Sequence, residues 1–116
     1  MSGAATLLPS RSKGMEVNGI RLHVTDVGEG PLLVLLHGFP ENGSCWNPLV
    51  PSLVAAGYRV VVPDLRGYNH SDKPKGIAAY RLDVLARDIH ELVDALGERE
   101  ATLIGHDWGG VVAFAV

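Results

Sequence analysis

Hydrophobic positions change period along the chain, and each change marks an element. Ile20, Leu22 and Val24 alternate with Arg21, His23 and Thr25, the period of a strand with one buried face. Val17-Asn18-Gly19-Ile20, just before it, supplies an Asn-Gly pair that tolerates positive φ at both centres of a tight turn, so a hairpin is predicted. After the Gly28-Glu29-Gly30-Pro31 turn, Leu32 to Leu36 is apolar without alternation, and Val60 to Val62 and Thr102 to Ile104 repeat that pattern. Such runs suit strands covered on both faces. Between them lie Trp46 to Gly57 and Tyr80 to Gly97. In the latter, Leu82, Leu85, Ile89, Leu92, Val93 and Leu96 fall at helical spacing, with Gly97 placed to cap the end.

The predicted order is β-β-β-α-β-α-β-α, an α/β fold in which an antiparallel hairpin leads into a parallel sheet with flanking helices and right-handed crossovers. Residues 1–14 have no sustained period and read as a flexible lead-in, leaving 15–116 as the folded part. The connection from Asp64 to Ala79, rich in Gly, Pro, Asn and Asp, reads as a surface loop at the carboxyl end of a strand, the edge at which open α/β sheets bind ligands.

Composition narrows the class without naming a chemistry. A chain of 116 residues, 47% hydrophobic, holds one domain at most. With 10 basic and 13 acidic residues spread along it, no basic stripe for nucleic acid is present. No stretch is long enough to span a bilayer, and Ala4-Ala5 and Leu7-Leu8 are too short for a signal-peptide core, so no membrane partner is expected. Cys45 is the single cysteine; it excludes an intrachain disulfide, makes the cytoplasm the default setting, and has no histidine motif to make it a nucleophile.

The chemistry is carried by Gly105-His106-Asp107-Trp108-Gly109-Gly110, straight after the run Ala101 to Ile104. A nucleophile on a sharp strand-to-helix turn needs small neighbours two positions either side, and Gly105 and Gly109 meet that demand. Free N–H groups at the helix start favour a charged side chain there. An ionised Asp107 needs no base to attack a saturated carbon and form an alkyl ester, which points to epoxides or alkyl halides. Hydrolysis of that ester needs water activated by a histidine, with donors for the oxyanion. His37-Gly38-Phe39-Pro40 follows the strand Leu32 to Leu36, where a loop can aim the Phe39 N–H at the same oxyanion. Read alone, the Asp107 turn is equally an ordinary polar turn.

With both motifs, and with Pro63-Asp64-Leu65-Arg66-Gly67-Tyr68 and Ser71-Asp72-Lys73-Pro74 between them, residues 15–116 resemble the α/β-hydrolase superfamily and, within it, the epoxide hydrolases. The resemblance implies Asp107 as the nucleophile that opens a small apolar epoxide and the backbone N–H groups of Phe39 and Trp108 as oxyanion donors. It also implies His37 as a loop support beside Gly38 and Pro40, a cis peptide before Pro40, and no cofactor. Asn69 departs from the family's usual glycine but tolerates positive φ. Haloalkane dehalogenases share the Asp-Trp elbow and resemble the chain less, because Phe39 offers only its backbone where they place a polar side chain.

The remaining candidates have plainer readings. His106 points away from Asp107, His23 lies on a strand, His90 on a polar helix side, and His70 alone stays open as a base. Asp64 and Arg66 pin their loop; Asp83, Arg87, Asp88, Glu91 and Asp94 form a solvated helix face; Trp46 is core. No pair has metal-ligand spacing with a third ligand nearby. In the family, the acid partner, the catalytic histidine and a cap with two epoxide-polarising tyrosines follow the elbow helix. None follows here, and Gly109 to Val116 ends without a cap, so an incomplete N-terminal portion is expected. Its last strand becomes an apolar edge prone to self-association, and the alternatives are a dehalogenase-like enzyme or a non-catalytic association module.

Overall fold

The computed structural model describes residues 12–116. Five strands, β1 (Ser12–Val17), β2 (Ile20–Val27), β3 (Leu32–Leu36), β4 (Arg59–Pro63) and β5 (Thr102–Gly105), form one sheet in the order β1-β2-β4-β3-β5. β1 and β2 are the antiparallel hairpin, closed by Val17 opposite Ile20, with Asn18 and Gly19 at φ of 48° and 78°. β2 runs antiparallel to β4, and β3 lies parallel between β4 and β5. Helices α1 (Val50–Ala55), α2 (Leu82–Ala95) and α3 (Trp108–Ala115) occupy the expected intervals.

Within the unbroken apolar run of β3 a period of two survives. Leu32, Val34 and Leu36 face a cluster with Leu85, Ile89 and Leu92 of α2 and Val112 of α3, whereas Leu33 and Leu35 face Val50 of α1 with Val60 and Val62 of β4. Trp46 packs beside that second cluster, as expected. The helix following β3 therefore covers one face and the helix following β5 the other. Adjacent loops that diverge in this way open a crevice at the carboxyl ends of the two strands, and that crevice locates the site.

The structure departs from the sequence reading at three places. Strand β1 begins at Ser12, pairing Ser12 with Thr25 and Lys13 with Val24, so residues 12–14 belong to the sheet and not to a lead-in; residues 1–11 lie outside the described residues. An edge strand held by main-chain bonds needs no apolar period. β5, read as covered on both faces, has Thr102 exposed and Leu103 and Ile104 half-buried, because it is the outer strand beside β3.

Asp88 is the third departure: it is buried, not solvated. The Arg66 guanidinium grips it with Nε and Nη2, each 2.8 Å from a carboxylate oxygen, and the Asn18 amide donates to Oδ1 at 2.8 Å. Arg66 also donates to the carbonyls of Ala79 and Asn18. Every charge in this buried group is paired, so the network ties the hairpin turn, the loop after β4 and α2 together.

Candidate active site

The turn after β5 is strained at one residue. Asp107 has φ 58° and ψ −123°, a conformation that a non-glycine side chain adopts only when its surroundings force it. Those surroundings explain the glycines. A Cβ on Gly105 would run into the backbone carbonyl of Gly109, and one on Gly109 into the carbonyls of Leu36 and His37. On the facing loop, a Cβ on Gly38 would lie 2.6 Å from the Asp107 Cβ and 2.8 Å from its Oδ2.

The Asp107 side chain is exposed, and its carboxylate accepts backbone hydrogen bonds. The N–H groups of Trp108 and Phe39 hold its carboxyl below the ordinary carboxylate range, with a smaller contribution from His106. The Phe39 nitrogen stands 3.1 Å from Oδ2. The two donors proposed from sequence thus meet at one side chain, and Asp107 is ionised at neutral pH.

The aim of the Phe39 N–H is set by His37. That imidazole is fully buried; Leu65 N–H donates to its Nε2 at 2.9 Å, so the ring proton sits on Nδ1 and is donated to the Gly38 carbonyl at 3.0 Å. Glu41 N–H donates to the same carbonyl at 2.9 Å. The Gly38 carbonyl and the Phe39 N–H belong to one planar peptide unit and point in opposite directions. Fixing the carbonyl therefore turns the N–H toward Asp107. Burial pushes the His37 imidazole below its ordinary value, which keeps it in the neutral form this arrangement requires. The Phe39-Pro40 peptide is cis, as the resemblance implied.

Phe39, Tyr68, Asp107, Trp108 and Val111 line an open cleft of about 470 Å³. Tyr68 was not singled out from sequence, although an aromatic in a loop at a strand's carboxyl end was the available signal. Its ring stands edge-on to His37 at 4.8 Å between centroids, and burial together with the Asp107 charge pushes its phenol up, so it is a hydrogen-bond donor at neutral pH. Asn69 takes φ 49°, the conformation for which asparagine is the next best residue after glycine.

Other candidates fall outside the cleft. Asp64 accepts from Gly43 N–H at 2.7 Å, Asn69 Nδ2 at 3.1 Å and His23 Nδ1 at 3.1 Å, a structural pin. His106 turns toward Glu41, 3.8 Å away, and His90 toward Asp94, 3.6 Å away. His70, left open from sequence, sits with its ring against His23. The Cys45 thiol is pushed up by partial burial and by Glu41, which disfavours the reactive thiolate. Among the described residues no group of three or more His, Cys, Asp or Glu is arranged to hold a metal ion.

Comparison with known proteins agrees with this geometry. The family model for the alpha/beta hydrolase fold matches residues 31–116. AB hydrolase superfamily protein YfhM of Bacillus subtilis is 54% identical over 102 residues, covering 86% of this chain and 36% of that protein. Epoxide hydrolase A of Mycobacterium tuberculosis is 43% identical over 102 residues, covering 86% of this chain and 32% of that one. The crystal structure of epoxide hydrolase VrEH1 from Vigna radiata superimposes with a TM-score of 0.87 at 43% identity, over 90% of this chain and 33% of that one. The chain thus spans about a third of the length of these relatives.

Proposed function

The chain belongs to the α/β-hydrolase fold family, within which it is similar to epoxide hydrolases, and from that premise we propose that Asp107 opens an epoxide by direct attack. The observation that carries the reading is an ionised, exposed carboxylate on a strained turn, held by two backbone N–H groups and facing a cleft. A carboxylate at such a place is a nucleophile without a base, and its product with an epoxide is a 2-hydroxyalkyl ester. When that ester carbonyl is attacked in turn, the N–H groups of Phe39 and Trp108 face the oxygen on which charge develops. His37, Gly38 and Pro40 set the loop that presents Phe39, while Gly105 and Gly109 make room for the turn.

The substrate class is a small apolar epoxide, supported by the relatives named epoxide hydrolases and by the apolar walls Phe39, Trp108 and Val111. The proposed attack by Asp107 calls on no cofactor and no metal. No helix among the described residues is long and apolar enough to cross a membrane, and the lone cysteine supports the cytoplasm as the compartment. The test is to treat the folded chain separately with a terminal epoxide and with a primary chloroalkane, then map modified peptides. An epoxide adduct on Asp107 is expected. Modification by the chloroalkane alone would move the reading to dehalogenase-like chemistry.

A second reading, self-association, has its own observation. β5 is an outer strand, and Phe114 on the adjoining helix is 97% exposed. An apolar edge beside an exposed aromatic is a template for a second strand. Sedimentation of the chain over a range of concentrations tests it, and a monomer throughout rejects it.

A further inference from the structure

We propose that the outer edge of β1 pairs with the same edge of a second copy of this chain, antiparallel about a two-fold axis at Met15, so that two sheets join into one. β1 lies at the end of the sheet opposite to β5, with β2 as its neighbour.

The hairpin decides which groups that edge offers. Across its two-residue turn Val17 and Ile20 exchange both main-chain hydrogen bonds, and so, in alternation, do Met15 with Leu22 and Lys13 with Val24. The N–H and C=O groups of Ser12, Gly14 and Glu16 therefore point away from the sheet, and all three residues are exposed. Such a row is a template for a further strand unless a bulge or an outward charge blocks it. The register from Ser12 to Val17 runs without a bulge, and the Lys13 ammonium is turned back onto Asp26 at 3.1 Å.

Charge selects the partner and the register. Glu16 and Arg21 stand opposite one another in the hairpin, yet the Arg21 side chain runs along it and lies over Gly14, where a Cβ would collide with its Nε, Cζ and Nη2. Glycine at position 14 is what lets this cation reach the outer strand. Among the described residues neither Arg21 nor Glu16 belongs to an ion pair. One face of the edge thus carries an unpaired cation above Gly14 and an unpaired anion two residues further on. Two antiparallel registers overlap most of β1 with its outward groups matched. An axis at Gly14 sets Arg21 beside Arg21 of the second copy, and facing like charges destabilise a pair of strands. An axis at Met15 sets Gly14 opposite Glu16 in both directions, so each Arg21 faces Glu16 of the other copy while Met15 meets Met15 on the opposite face. The same patch then serves both copies, as a two-fold contact requires. Two six-residue edges bury little surface, so the dimer is weak and concentration-dependent.

Sedimentation velocity over a range of chain concentrations reads the dimer, and charge reversal tests its register. Glu16→Arg and Arg21→Glu are each expected to weaken dimerisation about tenfold or more, and the two together to restore it, since opposite charges then face again. Both positions are exposed, so circular dichroism is expected to stay unchanged. In a Cys45→Ser background, Met15→Cys is expected to oxidise to a disulfide-linked dimer, because directly opposed residues of such a pair stand about 4.5 Å apart at Cα. Lys13→Cys, opposite Val17 of the second copy, is expected to remain uncrosslinked. A monomer at every concentration overturns the proposal, as does a double variant no better than the single ones. A dimer indifferent to both single changes overturns it too and moves the contact to another edge such as β5. Crosslinking through Lys13→Cys in place of Met15→Cys overturns the register.

Discussion

Two aspartates follow parallel strands of this sheet, and they are used in opposite ways. Asp64, just past β4, is 3% exposed and surrounded by donors from Gly43, Asn69 and His23, so its charge is consumed in holding loops together. Asp107, just past β5, is exposed on a strained turn and receives backbone N–H groups alone. Two backbone donors on an exposed carboxylate stabilise the anion without blocking every oxygen lone pair, whereas donors from several elements together with burial leave no approach for a substrate. The proposed nucleophile and the structural carboxylate thus differ in access and not in residue type.

Exchanging each carboxylate for an amide is the most direct way to break this comparison. Asp107→Asn is expected to abolish ester formation, a loss beyond about 10³-fold by mass spectrometry, while circular dichroism stays unchanged, since an amide is a poor nucleophile. Asp64→Asn is expected to leave the adduct intact and to cost about 1–3 kcal/mol in urea unfolding, the usual range for losing charge-assisted bonds at a buried site. Equal loss of adduct in both variants would dissolve the distinction. Arg66→Met is expected to cost more, about 3–5 kcal/mol, because it strands the Asp88 carboxylate in the interior. A much smaller value would mean that Asp88 is protonated or solvated in the variant.

Phe39→Ala sharpens the claim that the backbone, and not the side chain, serves Asp107. The Phe39 ring is largely exposed while its N–H is the group in contact. Alanine keeps that donor and removes only an exposed wall of the cleft, so the rate of adduct formation, followed by intact mass, is expected to fall less than about tenfold.

What the sequence disclosed follows from the range of the interactions. The Asn18-Gly19 turn, the β3 run and the α2 periodicity are local, and each was legible within a few residues. The elbow was also legible, because close packing of Gly105, Gly109 and Gly38 around Asp107 leaves its mark as glycines at fixed offsets. Asp88 was not, since it occupies a polar-looking helix position and its partner Arg66 is 22 residues away in another element. Nor was the exposure of β5, whose apolar residues have the same composition as an interior strand and differ in having a neighbour on one side alone. Tyr68 entered the cleft through the course of a loop, for which no periodicity exists.

The smallest expected effect separates the two sides of the site by pH. The folded-state value of His37 lies below its ordinary 6.5, so the unfolded chain binds the proton more readily. The stability this neutral ring contributes is complete above about pH 6.5 and is lost as the pH falls toward the folded-state value. Asp107 is also lowered, but from an ordinary value of 3.8, so it remains an anion through that whole interval. Between pH 7 and about pH 5, urea unfolding of the chain is therefore expected to show declining stability while the initial rate of ester formation stays level. His37→Gln, which cannot titrate, is expected to lose that pH dependence of stability from a lower starting point. An ester-forming rate that fell in step with stability would mean that protonating His37 releases the Gly38 carbonyl within the folded chain, and that the Phe39 N–H needs the neutral imidazole to keep its aim.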